Sequence, residues 1–300
     1  VGLEFLTIMN SVNSEESIHK ETQRWDIVLS STANLFSFPW KEVWRYRDLL
    51  YMFIKRDVVL IYKQTILGPI WFFIQPILTT VVYIVVFGGI AGISTDGLPR
   101  ALFYSSGIVV WNYFSESLTL TSKTFIENSN LFGKVYFPRI IVPLSKVFSG
   151  LLKFLVQFLF FLIVLLIYVL LGTSVSPNYT IALVPVLIFL MAGIALGFGI
   201  IFTSLTTKYR DLNFLIQFGV SLFMYATPVI YPLSSVPEKY RIFIMLNPVT
   251  YVVEGFRFAF LGSGSWSWLG IGYTAVFTMI ILTAGLLIFN KVEKTFMDTV

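Results

Sequence analysis

Between Lys63 and Asp96 the chain carries no charged residue, and between Lys153 and Lys208 it again carries none. Crossing the hydrocarbon core of a bilayer takes about 20 consecutive, mostly apolar residues in a helix. Runs of this length therefore constrain the fold more than any other feature. The second run is long enough for two helices, divided where Gly172, Ser174, Ser176, Pro177 and Asn178 gather in a turn. Continuing in this way along the chain predicts six spans, at about 66–89, 101–122, 140–171, 179–205, 212–231 and 268–290. The second is interrupted by Glu116, and the third carries Lys146 and Lys153 toward its start. With 56% hydrophobic and only 12% charged residues in 300, and a mean hydropathy of +0.81, lipid has to be the solvent for much of the surface.

Orientation is read from the cations. Placing the N-terminus inside puts 16 of the 21 Lys and Arg residues on the cytoplasmic side, with Arg100, Lys239, Arg241 and Arg257 outside and Lys153 within a span. The positive-inside rule then predicts that both termini are cytoplasmic. The same rule accounts for the net charge of +5, so nucleic-acid binding is not needed to explain it. Residues 1–40 lack the apolar run and small-residue cleavage site of a signal peptide, so the first span is expected to direct insertion as well.

Three segments fail to span. The stretch KEVWRYRDLLYMFIKRD (41–57) is too charged to cross, yet carries Trp44, Tyr46, Leu50, Phe53 and Ile54. It is read as a helix lying in the membrane interface, with a solvated linker helix as the alternative. The loop SKTFIENSNLFGKVYFPR (122–139) places Phe125, Leu131, Phe132, Val135, Tyr136 and Phe137 among charges. Exposed bulky groups are costly, so either a partner or the lipid interface is expected to cover them. Between spans five and six, Pro232, Pro237 and Pro248 break an apolar stretch in which Glu254 and Arg257 stand one helical turn apart. Two short helices, at about 236–246 and 248–261, fit it. They are either re-entrant, packed on protein, or an external amphipathic hairpin. The expected fold is thus an all-α integral membrane protein with six transmembrane helices, an N-terminal interfacial amphipathic helix and two short re-entrant helices. It divides into an N-terminal segment (1–40), the amphipathic helix (41–63), a transmembrane domain (64–290) and a C-terminal tail (291–300).

Little catalytic chemistry is legible. The absence of Cys excludes thiolate sites, and the one histidine, His19, has no second His or acidic cluster beside it. The pair Gly133-Lys134 is followed by Val135 and lacks the first glycine of a P-loop, and no HExxH or GxSxG occurs. Transport is the class left standing. Glu116 is the one acid in a predicted span, which is thin provision for ion coupling. It reads as a proton relay, a channel-lining acceptor, or a structural partner to a Lys or hydroxyl on a neighbouring helix. Gly88 with Gly92 and Gly193 with Gly197 form GxxxG pairs, read as packing only.

Several runs in order carry a resemblance: YKQTILGPIWFFIQP (62–76), SSGIVVWNYFSESL (105–118), LFGKVYFPR (131–139), YRDLN (209–213), TPVIYP (227–232) and LNPVTYVVEGFR (246–257). With these the chain resembles the membrane subunit of ABC-2 type ATP-binding-cassette exporters. Within that family it is similar to the bacterial inner-membrane subunits that move O-antigen, capsule or teichoic-acid polymers, as in lipopolysaccharide biosynthesis. The resemblance implies a homodimeric pore with two separate nucleotide-binding ATPase subunits, which hold ATP and Mg, and no cofactor or metal in this chain. It implies coupling to the ATPase through Phe125, Glu127, Leu131, Phe132, Lys134 and Tyr136. It implies channel-lining rings at Tyr83, Trp111, Tyr113, Phe114, Phe223 and Tyr225, for which ordinary core or interfacial aromatic packing is the alternative, with Glu116 among them, and an outer gate at Asn247, Pro248, Glu254 and Arg257. Because such polymers hang from a polyprenyl diphosphate, Arg45, Arg47, Lys55, Arg56 and Lys63 are candidates to grip it; retention by anionic membrane lipids is the alternative. An ABC-2 exporter of drugs or lipids, or an ion-coupled carrier, are the competing functions.

Overall fold

The computed structural model describes residues 40–63, 68–132, 134, 137–173, 175–209 and 211–296. Expectations for the N-terminal segment, the first residues of span one, Tyr136 and the end of the tail fall outside them. All regular structure among the described residues is helical.

A short α1 (Trp40–Arg45) leads into α2 (Arg47–Lys63), whose inner face carries Phe53 and Asp57, one turn apart and both buried. A 3₁₀ turn (Gly68–Ile70) opens α3 (Trp71–Tyr83), which runs on as a π-helical segment, Ile84–Ile90. The central helix is α4 (Arg100–Ser122), 23 residues long, or about 35 Å. It has the length of a span but not the hydropathy, because it is clad in protein. Its Ser105 and Ser106 hydroxyls are spent on the Leu102 and Phe103 carbonyls, so they cost little in an apolar interior. Helices α5 (Thr124–Glu127) and α6 (Ser129–Phe132) form the following loop. Then come α7 (Ile141–Leu170), a 3₁₀ turn (Tyr179–Leu183) and α8 (Val184–Thr206). After α9 (Leu212–Tyr225) the hairpin α10 (Glu238–Met245) and α11 (Pro248–Leu261) bends by 99°, and α12 (Trp268–Phe296) closes the chain. Helix α4 packs chiefly on α7 and α8, α12 on α8, and α2 on α7.

Four helical segments are long and apolar enough to cross a membrane: Trp71–Ile90, Ile141–Leu170, Tyr179–Thr206 and Trp268–Val292, or five if the bent hairpin is one span. The span expected over 212–231 is corrected. Its helix ends at Tyr225 after 14 residues, about 21 Å, and 226–231 is non-helical. Pro228 disfavours helical geometry at Thr227, and side chains of the hairpin take the carbonyls that a continuing helix would have used.

The two GxxxG pairs separate. On α8, a Cβ at Gly197 would lie 3.0 Å from the Ile281 carbonyl carbon and 3.1 Å from the Leu282 nitrogen of α12. A Cβ at Gly285 would lie 2.8 Å from the Gly197 oxygen, so the two backbones touch. Gly88 instead faces the flexible Arg100 side chain, and Gly92, at φ 63°, stands in open space, so this pair packs no helix. Gly197→Leu should therefore lower the stability of the detergent-purified protein by about 1–3 kcal/mol. Gly89→Ala, whose Cβ would meet nothing nearer than 3.7 Å, should leave the melting temperature unchanged or raise it.

Candidate functional site

The candidate residues fall at three levels along α4. At its C-terminal end, Phe125 stacks on Phe289 of α12 (4.9 Å between centroids) and meets Phe132 edge-on (5.6 Å). Phe132 contacts Phe137 at 5.7 Å, and Phe137 contacts Phe53 of α2 at 5.8 Å. The Phe125 N–H donates to Thr203 Oγ1 at 3.1 Å, and Thr206 Oγ1 donates to the Ser122 carbonyl at 3.0 Å. Of the loop aromatics expected to need an outside cover, Phe125, Phe132 and Phe137 are thus covered by the chain itself. They fasten α5 and α6 to α2, α8 and α12, while Glu127 and Lys134 point outward and Leu131 is half-buried.

The same end holds an ion triad, buried at Asp57 and Lys146 and half-exposed at Arg56, that sequence reasoning missed. Asp57 Oδ1 accepts from Arg56 at 2.8 Å, and Lys146 Nζ lies 3.0 Å from Asp57 Oδ2, with only 9–11% of the Asp57 and Lys146 side chains exposed. A buried acid at the (i, i+4) position from a buried Phe was the available signal, but its partner lies 89 residues on. Arg56, which also lies 4.8 Å from the Phe53 ring, is therefore committed within the chain. Arg45, Arg47, Lys55 and Lys63 are exposed, Arg47 lying 5.6 Å from the Trp44 ring.

At mid-height, Lys153 of α7 donates to Glu116, which selects the structural-partner reading for one of the carboxylate's oxygens. Trp111, Tyr113 and Phe114 are buried. Trp111 and Phe114 lie 5.4 Å apart and each sits 6.1 Å from Phe223, while Tyr113 lies 5.5 Å from Phe154. Their faces are occupied by other rings, so within this chain they are core, and much of the aromatic surplus is absorbed in this way. Tyr83, whose hydroxyl donates to Met224 Sδ at 3.3 Å, and Phe223 are half-buried. Tyr225 keeps 55% of its surface exposed.

At the other end, the four residues expected to form an outer gate converge on the break after α9. Arg257, 1% exposed, donates from Nη1 to the Pro228 carbonyl and to Glu254 Oε1, both at 3.0 Å, and from Nη2 to the Val229 carbonyl at 3.2 Å. Its guanidinium carbon lies 3.9 Å from the Phe103 ring centroid. Glu254 Oε2 accepts the Ser265 N–H at 3.1 Å. Asn247 caps α11 by accepting from the Val249 N–H at 3.0 Å, and donates to the Ala226 carbonyl and to Thr227 Oγ1. Pro248 follows at the first helical position, where a missing N–H costs nothing. Gly107 was not foreseen: a Cβ there would lie 2.8 Å from the Val229 oxygen and 3.0 Å from Arg257 Nη2.

Two outcomes test these assignments by thermal unfolding. Arg257→Leu strands a buried carboxylate and two carbonyls and should cost about 3–5 kcal/mol. Arg257→Lys should recover only part, since a point charge cannot replace the guanidinium fork. In the triad, Asp57→Asn, which leaves Lys146 buried beside a neutral group, should be more damaging than Lys146→Met, after which Arg56 still neutralises Asp57.

The profile of the ABC-2 type transporter family matches residues 48–261. The O-antigen export system permease protein RfbA of Klebsiella pneumoniae is 30% identical over 253 residues, 84% of this chain and 94% of that protein. RfbA of Myxococcus xanthus is 26% identical over 73% of this chain and 83% of its own length. The polysialic acid transport protein KpsM of Escherichia coli is 22% identical over 78% of this chain and 89% of its own.

Proposed function

The chain belongs to the ABC-2 type transporter family, and from that premise we propose that it is the permease subunit of an ATP-driven exporter carrying polyprenyl-diphosphate-linked polysaccharide across the bacterial inner membrane. The observation that carries this reading is the 30% identity to an O-antigen export permease along 94% of that relative's length. The likeness to a polysialic acid transporter supports polysaccharide as the substrate class rather than one repeat unit.

In this reading six membrane passages are made by α3, α4, α7, α8, the short α9 with its hairpin, and α12, with both termini cytoplasmic as the cation distribution favours. Two copies form the pore, and two ATPase subunits sit against the end that holds α2, α5 and α6. The exposed Glu127 and Lys134, with Leu131, take the contact; Phe125 and Phe132 pass displacement into α8 and α12, to which they are bound. The exposed Arg45, Arg47, Lys55 and Lys63 meet a lipid diphosphate at the headgroup level, Arg47 exchanging its loose 3.9 Å pairing with Asp48 for it. The hairpin end opens outward.

The test is export of surface polymer by a deletion strain complemented with variants, with ATPase association checked by co-purification. Arg45→Gln/Arg47→Gln/Lys55→Gln should cut export about tenfold or more, the scale expected from losing charge-assisted hydrogen bonds, while ATPase association is retained. Export by the wild-type chain without ATP hydrolysis would overturn the ATP-driven reading. Unchanged export by the triple variant would remove the diphosphate grip.

A further inference from the structure

The polar side chains midway along α4 and α7 form a second constellation. Asn112 and Glu116 stand one turn apart on α4, Lys153 and Gln157 one turn apart on α7. They close as two rungs. Asn112 Nδ2 donates to Gln157 Oε1 at 3.2 Å, and Lys153 Nζ donates to Glu116 Oε1. The order of the pairs shows the helices to be antiparallel here. Gly150 permits the close approach, since a Cβ there would lie 2.8 Å from Ser117 Oγ. Asn112 lies about 18 Å along α4 from its first residue, so the ladder is near mid-depth. Phe72 of α3 borders it, its ring 5.7 Å from Lys153 Nζ.

The ladder differs from the other buried ion pairs, Asp57–Lys146 and Glu254–Arg257, chiefly in the exposure of its carboxylate. Arg257 and Glu254 keep 1% and 3% of their side chains accessible; Lys153 and Glu116 keep 15% and 32%. At this depth lipid offers only hydrocarbon, where a charged group with open surface is unstable. Polar groups at such a depth face water, a cavity or another polar surface. Each rung also spends one donor and one acceptor of groups that carry several. Asn112 and Glu116 are both half-exposed, so part of that remaining capacity is accessible from outside the chain.

We propose that Asn112, Glu116 and Lys153, with the buried Gln157 (5% exposed) holding Asn112 in place, form a polar contact site for the hydroxyl groups of sugar units at mid-depth of the translocation route. The proposal rests on the reading of the chain as a polysaccharide exporter subunit. A sugar hydroxyl both donates and accepts, which matches a strip of mixed amide, carboxylate and ammonium groups. The ion pair is neutral overall, so it holds no charged substituent firmly. Passage needs contacts weak enough to release each unit as the next arrives.

The sequence contains no Cys, so a single introduced thiol is an unambiguous reporter. In membrane vesicles holding the exporter with its ATPase, Asn112→Cys should react with a membrane-impermeant, water-soluble methanethiosulfonate. Leu159→Cys, on the exposed apolar face of α7, should react only with a lipid-soluble maleimide. Failure of the water-soluble reagent to reach Asn112→Cys, at rest or during ATP hydrolysis, would overturn the site. The second arm is Asn112→Leu/Gln157→Leu, which removes both partners of a rung and so should preserve the melting temperature. It should slow polymer export about tenfold, the change expected when one hydrogen-bonding contact is lost. Wild-type export rates in this variant, with melting unchanged, would make the ladder mere packing and overturn the proposal while leaving the exporter reading intact. Absence of polysaccharide export by the wild-type chain itself would instead overturn the exporter reading, and the proposal with it.

Discussion

The guanidinium of Arg257 is the interaction on which the rest of the hairpin end depends. Helix α9 stops at Tyr225 while the chain is still inside the bundle, so the carbonyls of Pro228 and Val229 are left without helical partners. In a medium without water each such group would cost several kcal/mol. Arg257 satisfies both, and nearly everything nearby follows from the need to put a cation there. Glu254, one turn earlier, balances the charge and fixes the loop after α11 through Ser265. Phe103 closes over the guanidinium, Gly107 leaves room for it, and the bend at Asn247 and Pro248 turns α11 so that the residue points inward.

The same helix that accommodates Arg257 is bound at its other end by a different kind of contact. Beyond Ser122 the chain is held by the Phe125–Phe289 stack and by threonine hydroxyls of α8. Helix α4 is thus fixed at one end by a charged hydrogen-bond cluster and at the other by stacked rings. Between them its backbone is an unbroken helix. In the proposed exporter, a movement of α5 and α6 would reach α8 and α12 through these contacts and α4 through the chain itself.

Hydropathy and breakers made much of this legible. The apolar runs announced the long helices, and Pro248 announced the start of α11. What stayed illegible was pairing at long sequence separation. Asp57 and Lys146 each read as an ordinary charge near a membrane surface, and nothing local says that they meet. The loop aromatics were misread for the same reason: a Phe in a polar loop has the same sequence signature whether its cover is a partner or Phe289 of the same chain. Trp111, Tyr113 and Phe114 read as surfaces for a ligand because aromatic content is visible in sequence and ring-to-ring packing is not.

The shortness of α9 has consequences beyond its own end. A continuous span would have filled the bundle with backbone hydrogen bonds that need no help from side chains. With only 14 residues, about 21 Å against a hydrocarbon core of about 30 Å, α9 is too short to cross alone, and non-helical backbone and two short helices follow it. A finite set of side-chain bonds from Asn247, Arg257 and Glu254 holds them in place. Continuous helix breaks only at large cost, whereas a side-chain cluster can exchange one set of partners for another. The order of the hairpin end thus rests on side-chain bonds, whereas the opposite end is held by ring packing within its own chain.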